Sequence, residues 1–196
     1  MLPQRHDHSA IGLLGGSFNP AHDGHREISL TALDRLQLDA VWWLVSPGNP
    51  LKDPKDYAPY ETRLAQARRV ADHPRIVVSD FERRKNLQYT VDTLEMLATL
   101  WPQIRFVWLM GADSLASFHC WKEWRRIFAL APIAVFSRPG FEAAVGESEA
   151  AREFQAFLFD PADGAELAGA EPPAWVYLPE TCNPASSTAF RARQRR

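Results

Sequence analysis

Two histidines three residues apart, His22 and His25, close the run Gly15-Gly16-Ser17-Phe18-Asn19-Pro20-Ala21-His22-Asp23-Gly24-His25. At the start of a helix, residues at this spacing lie on neighbouring parts of one face. A glycine-rich turn that enters a helix leaves backbone N–H groups pointing outward, with the positive end of the helix dipole behind them. Imidazole donors above such a turn suit the oxygens of a phosphate chain. The run lacks the Gly-x-Gly-x-x-Gly of a dinucleotide-binding turn and the Gly-Lys-Ser/Thr ending of a P-loop. That argues against a nicotinamide-dependent oxidoreductase. A zinc site would need more ligands, and no third one stands nearby in the sequence.

A second run stands far away, at Ser186-Ser187-Thr188-Ala189-Phe190-Arg191, and on its residues alone it reads as the N-cap of a terminal helix. Ser and Thr cap helices well, and an arginine just inside a helix start can bridge polyphosphate oxygens. A third is the turn Gly111-Ala112-Asp113-Ser114, where the glycine permits close approach. Asp113 can accept a hydrogen bond from a ribose or cap the following helix, and both roles stay open.

Several elements must hold these residues in place. An apolar run over 10–14 reads as the first strand. The helix after the His pair carries Ile28, Leu30, Leu33 and Leu36 near a 3.6-residue period. The apolar run 40–45 reads as a strand buried on both faces, and a Pro-rich loop, 46–54, follows it. A helix over 60–71, a strand over 75–79, a polar stretch over 81–88 and a helix over 90–100 come next. A strand over 104–110 leads to the Gly111 turn and a Trp-rich helical segment to residue 129. A strand over 133–136 leads to Ser137-Arg138-Pro139-Gly140. Beyond it, one helix over 147–157 and a surface loop precede a short last strand at 175–178. Trp42, Trp43 and Trp108 fall inside strands and belong to the core, while Trp124 could face core or site.

This alternation predicts an α/β fold with a parallel sheet. The loops at 15–25, 46–54, 111–114 and 137–140 all follow strand C-termini. They should share the rim where such sheets bind ligands.

The run Gly-Ser-Phe-Asn-Pro-Ala-His-Asp-Gly-His resembles the G-[ST]-F-[DN]-P-x-H-x-G-H signature of the nucleotidyltransferase superfamily. Within it, further motifs resemble nicotinate-nucleotide adenylyltransferases. These are Asn49-Pro50-Leu51-Lys52 after the second strand, Tyr89-Thr90-Val91-Asp92-Thr93-Leu94 at a helix start, Trp121 seven residues after Ser114, and Arg138 in an Arg-Pro-Gly turn. The matches run in order from Gly12 to Arg191. The Thr90 and Trp121 matches speak against the phosphopantetheine and cytidylyl branches. Retention of His22, His25 and Arg191 speaks against a non-catalytic nucleotide-binding module.

The resemblance implies a Rossmann-like, doubly wound parallel sheet with a C-terminal helical segment. It implies ATP + nicotinate mononucleotide → deamido-NAD + diphosphate, with no covalent enzyme intermediate. His22, His25, Lys52 and Arg191 would act on the phosphates. Gly15, Gly16, Ser17, Phe18, Gly111, Asp113, Ser187 and Thr188 would complete the ATP side. Asn49, Lys52, Tyr89, Thr90, Trp121 and Arg138 would form the mononucleotide side, with Trp121 stacked on the pyridine. Mg²⁺ is expected through the ATP phosphates, with no protein-built metal site. Asn19 stands where the superfamily often has Asp, which fits that expectation.

The chain has 196 residues, enough for one domain from residue 10 to 196 behind a loose arm at 1–9. A formal charge of −2 gives no sign of a nucleic-acid partner. Only four of the 22 basic residues are lysines (Lys52, Lys55, Lys85 and Lys122), a balance that planar recognition of phosphate and carboxylate and a GC-rich genome would equally produce. Cys120 and Cys182 have neither metal-ligand spacing nor the density of a disulfide framework. No apolar run approaches the roughly 18 residues of a membrane span, and the polar start is no signal peptide. The expectation is a cytoplasmic enzyme with no membrane partner, and nothing in the chain marks an oligomeric state.

Overall fold

The computed structural model describes residues 9–48 and 57–181. Seven parallel strands form one sheet: β1 (Ala10–Gly16), β2 (Ala40–Val45), β3 (Ile76–Ser79), β4 (Arg105–Gly111), β5 (Ile133–Phe136), β6 (Leu158–Phe159) and β7 (Trp175–Leu178). Their spatial order is β3-β2-β1-β4-β5-β7-β6. The central strands are apolar almost throughout because helices cover both faces.

Strand residues alternate between two cores. Leu14, Trp43, Val107 and Val176 pack with Leu33 and Leu36 at the end of α1 (Asp23–Arg35) and with Leu64 and Ala67 of α2 (Tyr60–Ala71). Leu13, Trp42, Trp108 and Trp175 pack on the other side. Their partners are Leu94 and Leu97 of α4 (Thr90–Leu100) and Ile127 and Phe128 of α6 (Trp124–Leu130). The chain therefore has the expected doubly wound architecture. Trp42, Trp43 and Trp108 are core residues, and Trp124 joins them, edge-on to Phe118 and Phe154.

Four segments differ from the sequence expectation. The polar stretch after β3 holds a short helix, α3 (Phe81–Arg84), with Phe81, Glu82 and Leu87 buried. The Trp-rich segment is three pieces: α5 (Ala112–Ala116), a 3-10 turn at Phe118–Cys120, and α6. The single helix expected over 147–157 is likewise broken. Ser148 adopts extended backbone and caps α8 (Glu149–Glu153) through a bond from Ala151 N–H, ending α7 (Ala144–Glu147) before it. A 3-10 turn at Gln155–Phe157 then leads into β6, which the sequence reading lacks. The expected surface loop is a run of 3-10 turns, Pro161–Gly169, whose Leu167 and Ala168 fill the first core. Ala and Gly at these positions hid an apolar face too narrow to show a period.

The winding reverses between β1 and β4, because β2 and β3 lie to one side and the later strands to the other. That opens a crevice beyond the C-termini of β1 and β4. Among the described residues, no helix is long and apolar enough to cross a membrane. The arm expected at the N-terminus falls outside the described residues except for Ser9, and so does the expected C-terminal helical segment.

Candidate active site

β1 delivers the histidine run to the crevice. Gly15 lies within the strand, where a Cβ would collide with the Trp108 ring, so this glycine serves packing of the sheet. The turn begins later. Phe18 takes left-handed backbone (φ 46°), and the Asn19–Pro20 peptide is cis. The Phe18 ring is buried, stacked on Trp43 and tilted against His25, each at 4.8 Å.

His22 is the N-cap of α1, in extended backbone. Its main-chain N–H donates to Nδ1 of His25 at 3.2 Å, the reach-back half of a capping box. The two rings stand 3.8 Å apart. Behind them, Trp43 Nε1–H donates to Ser29 Oγ, and the Ser29 hydroxyl donates to the His25 carbonyl, both at 2.8 Å. The helix start is thus fixed to the sheet below.

Burial, then the charge of Arg138, pushes the His22 imidazole down to about 4, against a smaller opposing effect of Asp23. Burial, then the neighbouring His22, holds His25 well below its usual 6.5. Both rings are therefore neutral near pH 7, and each offers one N–H. In His25 the Nδ1 atom accepts, so Nε2 carries the proton and is the donor.

The crevice is a cavity of about 530 Å³. It brings together Gly15 and Gly16 at the end of β1, Ser17, Phe18, His22 and His25 from the turn and helix start that follow, and Ser46 and Gly48 from the second rim loop. Gly111, Asp113 and Arg138 line it beyond β4 and β5, and Tyr89, Thr90 and Trp121 line it from the helical side. The rim loops thus meet where the strand order predicts.

Asp113 faces Arg138 at 3.4 Å, and Gly111, the N-cap of α5, makes no side-chain cap. The ion pair replaces the capping role the sequence allowed. A Cβ at position 111 would come within 2.5 Å of Asp113 Oδ1, so a side chain there would make the Asp113 carboxylate shift.

Thr90 is the first residue of α4 and Tyr89 its N-cap. Trp121 meets Trp108 edge-on at 6.4 Å and Phe118 at 5.0 Å, which fixes the indole at the cavity wall. Next to it, Lys122 binds Asp92 at 2.9 Å and lies over the Tyr89 ring, closing the edge between α4 and the segment before α6. The candidates Asn49, Lys52, Ser187, Thr188 and Arg191 lie outside the described residues.

Two buried polar residues at this site are not among the candidates the sequence offers. Arg63 of α2 is 1% exposed and bonds four main-chain carbonyls. The sequence does carry a signal for it: Arg63 shares the i, i+4, i+8 stripe with Ala67 and Ala71, an arginine on the apolar face. Glu82 lines the cavity, and its Oε1 lies 3.0 Å from Thr93 Oγ1. It sits among charged neighbours in the sequence and has no such signal.

Among the described residues, no group of three or more His, Cys, Asp or Glu could hold a metal ion. The Asn19 side-chain oxygen accepts from Ala58 N–H at 3.1 Å, so it is engaged in the fold.

A family model described as cytidylyltransferase-like matches residues 13–193. A protein of Cereibacter sphaeroides named "probable nicotinate-nucleotide adenylyltransferase" is 51% identical over 185 residues, covering 94% of this chain and 98% of its own. One of the same name from Methylorubrum extorquens is 50% identical over 183 residues, covering 93% and 99%. In fold, the chain is similar to Plasmodium falciparum nicotinic acid mononucleotide adenylyltransferase. The TM-score is 0.68 to the structure complexed with APC and 0.70 to that with NaAD. Each is 16% identical and covers 94% of this chain and 83% of that one.

Proposed function

Because the chain belongs to the cytidylyltransferase-like family, we infer that it is a nicotinate-nucleotide adenylyltransferase, making deamido-NAD and diphosphate from ATP and nicotinate mononucleotide. One observation carries the reading beyond family membership. The cavity at the β1/β4 switch point holds a neutral pair of imidazole donors on one wall and a half-buried indole with a helix start on the other. One wall suits phosphates and the other a flat heteroaromatic ring.

The chemistry needs no base. A phosphate oxygen of the mononucleotide, already anionic near pH 7, attacks the α-phosphorus of ATP. The bond from that phosphorus to the oxygen bridging to the β-phosphate breaks, and diphosphate leaves with the electron pair. Catalysis is then alignment of two anions and stabilisation of charge on the leaving group. His22 and His25 donate N–H groups to phosphate oxygens without titrating. The backbone at 16–18 and the start of α1 cradle the α-phosphate. Gly111 and Asp113 take the adenosine, Trp121 stacks on the pyridine, and Thr90, Tyr89 and Arg138 complete the acceptor side. Lys52, Asn49, Ser187, Thr188 and Arg191 keep the roles their motifs imply.

The donor set fits a Mg²⁺ that arrives on the triphosphate. The described residues form no carboxylate cage, and Mg²⁺ is commonly held by phosphates and water. Such an ion would neutralise charge on the diphosphate.

The test is turnover with ATP·Mg²⁺ and nicotinate mononucleotide, beside nicotinamide mononucleotide and phosphopantetheine, reading diphosphate release and the dinucleotide product. Deamido-NAD formed with a preference for the acid is the expected result. Turnover with phosphopantetheine alone would overturn the reading.

A further inference from the structure

Arg63 is a cation buried on the apolar face of α2, and its four acceptors are all main-chain carbonyls. Nε–H donates to Ala58 O at 3.2 Å. One terminal nitrogen donates to Ser17 O at 2.5 Å and to Ser46 O at 2.9 Å, and the other to Pro47 O at 3.0 Å. Four of the five guanidinium N–H groups are thereby used. The rings of Tyr57 and Tyr60 flank the charge at 5.3 and 5.1 Å from their centroids.

The carbonyls belong to different loops, and two of their residues, Ser17 and Ser46, line the cavity. Ser17 is in the histidine run. Ser46 and Pro47 open the loop after β2 that continues to Asn49 and Lys52. The two loops meet again where Ser46 N–H donates to Gly16 O at 2.9 Å. Ala58 is held from both sides, its carbonyl by Arg63 and its N–H by Asn19.

We propose that Arg63 is a positioning residue for adenylyl transfer: its guanidinium clamps the loop after β1 to the loop after β2, so that the ATP side and the acceptor side hold one fixed separation. The inference rests on the functional reading above. It follows from what the reaction demands, since two anions must be kept in line and a shift of about 1 Å in their alignment costs on the order of 10²-fold in rate. A lysine cannot replace the clamp, because one ammonium cannot reach carbonyls spread over three directions of a planar fork.

The test compares the parent with Arg63→Lys, Arg63→Ala and, as a control, Arg68→Ala on the exposed side of the same helix. All are assayed below their melting temperatures. In Arg63→Lys we expect kcat lower by roughly tenfold or more and both KM values raised, with Arg68→Ala unchanged. Millimolar guanidinium should restore Arg63→Ala in part, while urea and sodium chloride at the same concentration should not. Amide hydrogen exchange should rise together at Ser17 and Phe18 and at Ser46 and Gly48, with residues 10–15 of β1 and β4 still protected. A merely structural arginine would lower the melting temperature and leave these readouts alone. The inference is overturned if folded Arg63→Lys keeps kcat and both KM values within twofold, or if exchange rises in only one loop. Should Arg63→Ala fail to fold, the lysine variant decides. Should the parent fail to turn over these substrates, the functional reading falls, and the paired exchange alone decides the clamp.

Discussion

The main-chain N–H of His22 donates to Nδ1 of His25, and this one bond sets which nitrogen of His25 can serve a substrate. With Nδ1 accepting, the neutral ring must donate through Nε2. Removing the donor should lower kcat by ~10²-fold, the scale of losing one preorganised transition-state donor. His25→Ala tests the magnitude, and a pair of amides tests the tautomer. The glutamine amide reaches the place of Nε2 and can donate there, whereas the asparagine amide reaches only the place of Nδ1. His25→Gln should therefore retain more kcat than His25→Asn. Equal loss in both, or His25→Ala within twofold of the parent, would sink the assignment.

The neutral histidines also predict how stability responds to acid. The pKa of His22 is near 4 when folded and near 6.5 when free. The unfolded chain therefore binds more protons between these values, and this contribution to stability is lost as pH falls from 6.5 toward 4. Urea midpoints should fall over that window. His22→Asn should flatten the fall, and an unchanged slope would contradict the burial argument.

Glu82 works in the opposite direction. Burial raises its carboxyl from the usual 4.5 to about 7, a shift that the Thr93 hydrogen bond only partly offsets. The folded protein thus holds the proton longer, and stability falls as pH rises from 4.5 through 7. The difference amounts to about 3 kcal/mol at 1.36 kcal/mol per unit. A protonated carboxyl can donate to Thr93 Oγ1, leaving the threonine hydroxyl to donate to Tyr89 O at 3.2 Å. Glu82→Gln keeps that donor without the ionisation. It should match the parent at pH 5 and exceed its urea midpoint at pH 8. A parent as stable at pH 8 as at pH 5, with no gain in the variant, would refute it.

These residues show where the sequence is legible. The apolar runs of β1, β2, β4 and β5 and the loops after them are visible because burial on both faces leaves no other composition. The His22–His25 run is visible because its residue types and spacing are themselves the chemistry. Glu82 is invisible because its environment is made by Thr93 of α4 and by the cavity rather than by its charged neighbours in the chain. The sequence also hides a second demand on one glycine, since Gly15, which lines the cavity, makes room for Trp108, a neighbour supplied by β4. The broken helices at 144–157 were hidden for a related reason. Ser148 ends one and caps the next, and alanine-rich turns around it carry little period.

Arg138 needs a measurement that separates two partners. Its motif assigns it to the mononucleotide, while in the fold it pairs with Asp113 and lowers the pKa of both histidines. If it reads the pyridine carboxylate, Arg138→Ala should lower kcat/KM for nicotinate mononucleotide by about tenfold or more. The nicotinamide analogue should then lose little, so the acid-over-amide ratio shrinks. Parallel losses with both substrates would move Arg138 to the phosphates beside His22 and His25.

Trp121 gives the sharpest division between the two halves of the cavity. Its indole is wedged edge-on against Trp108 and tilted against Phe118, and both neighbours are core residues 2% exposed or less. The ring is therefore set in place before any ligand arrives, and a flat heteroaromatic can stack on it with little ordering cost. Trp121→Ala should raise KM for nicotinate mononucleotide about tenfold, the equivalent of roughly 1.4 kcal/mol, while KM for ATP stays within twofold. Trp121→Phe keeps a smaller π-face on the same support and should recover part of the loss. Should both KM values rise together in Trp121→Ala and neither recover in Trp121→Phe, the indole would be a wall of the whole cavity. Loss confined to the mononucleotide assigns the stacking to the acceptor half, opposite the histidines.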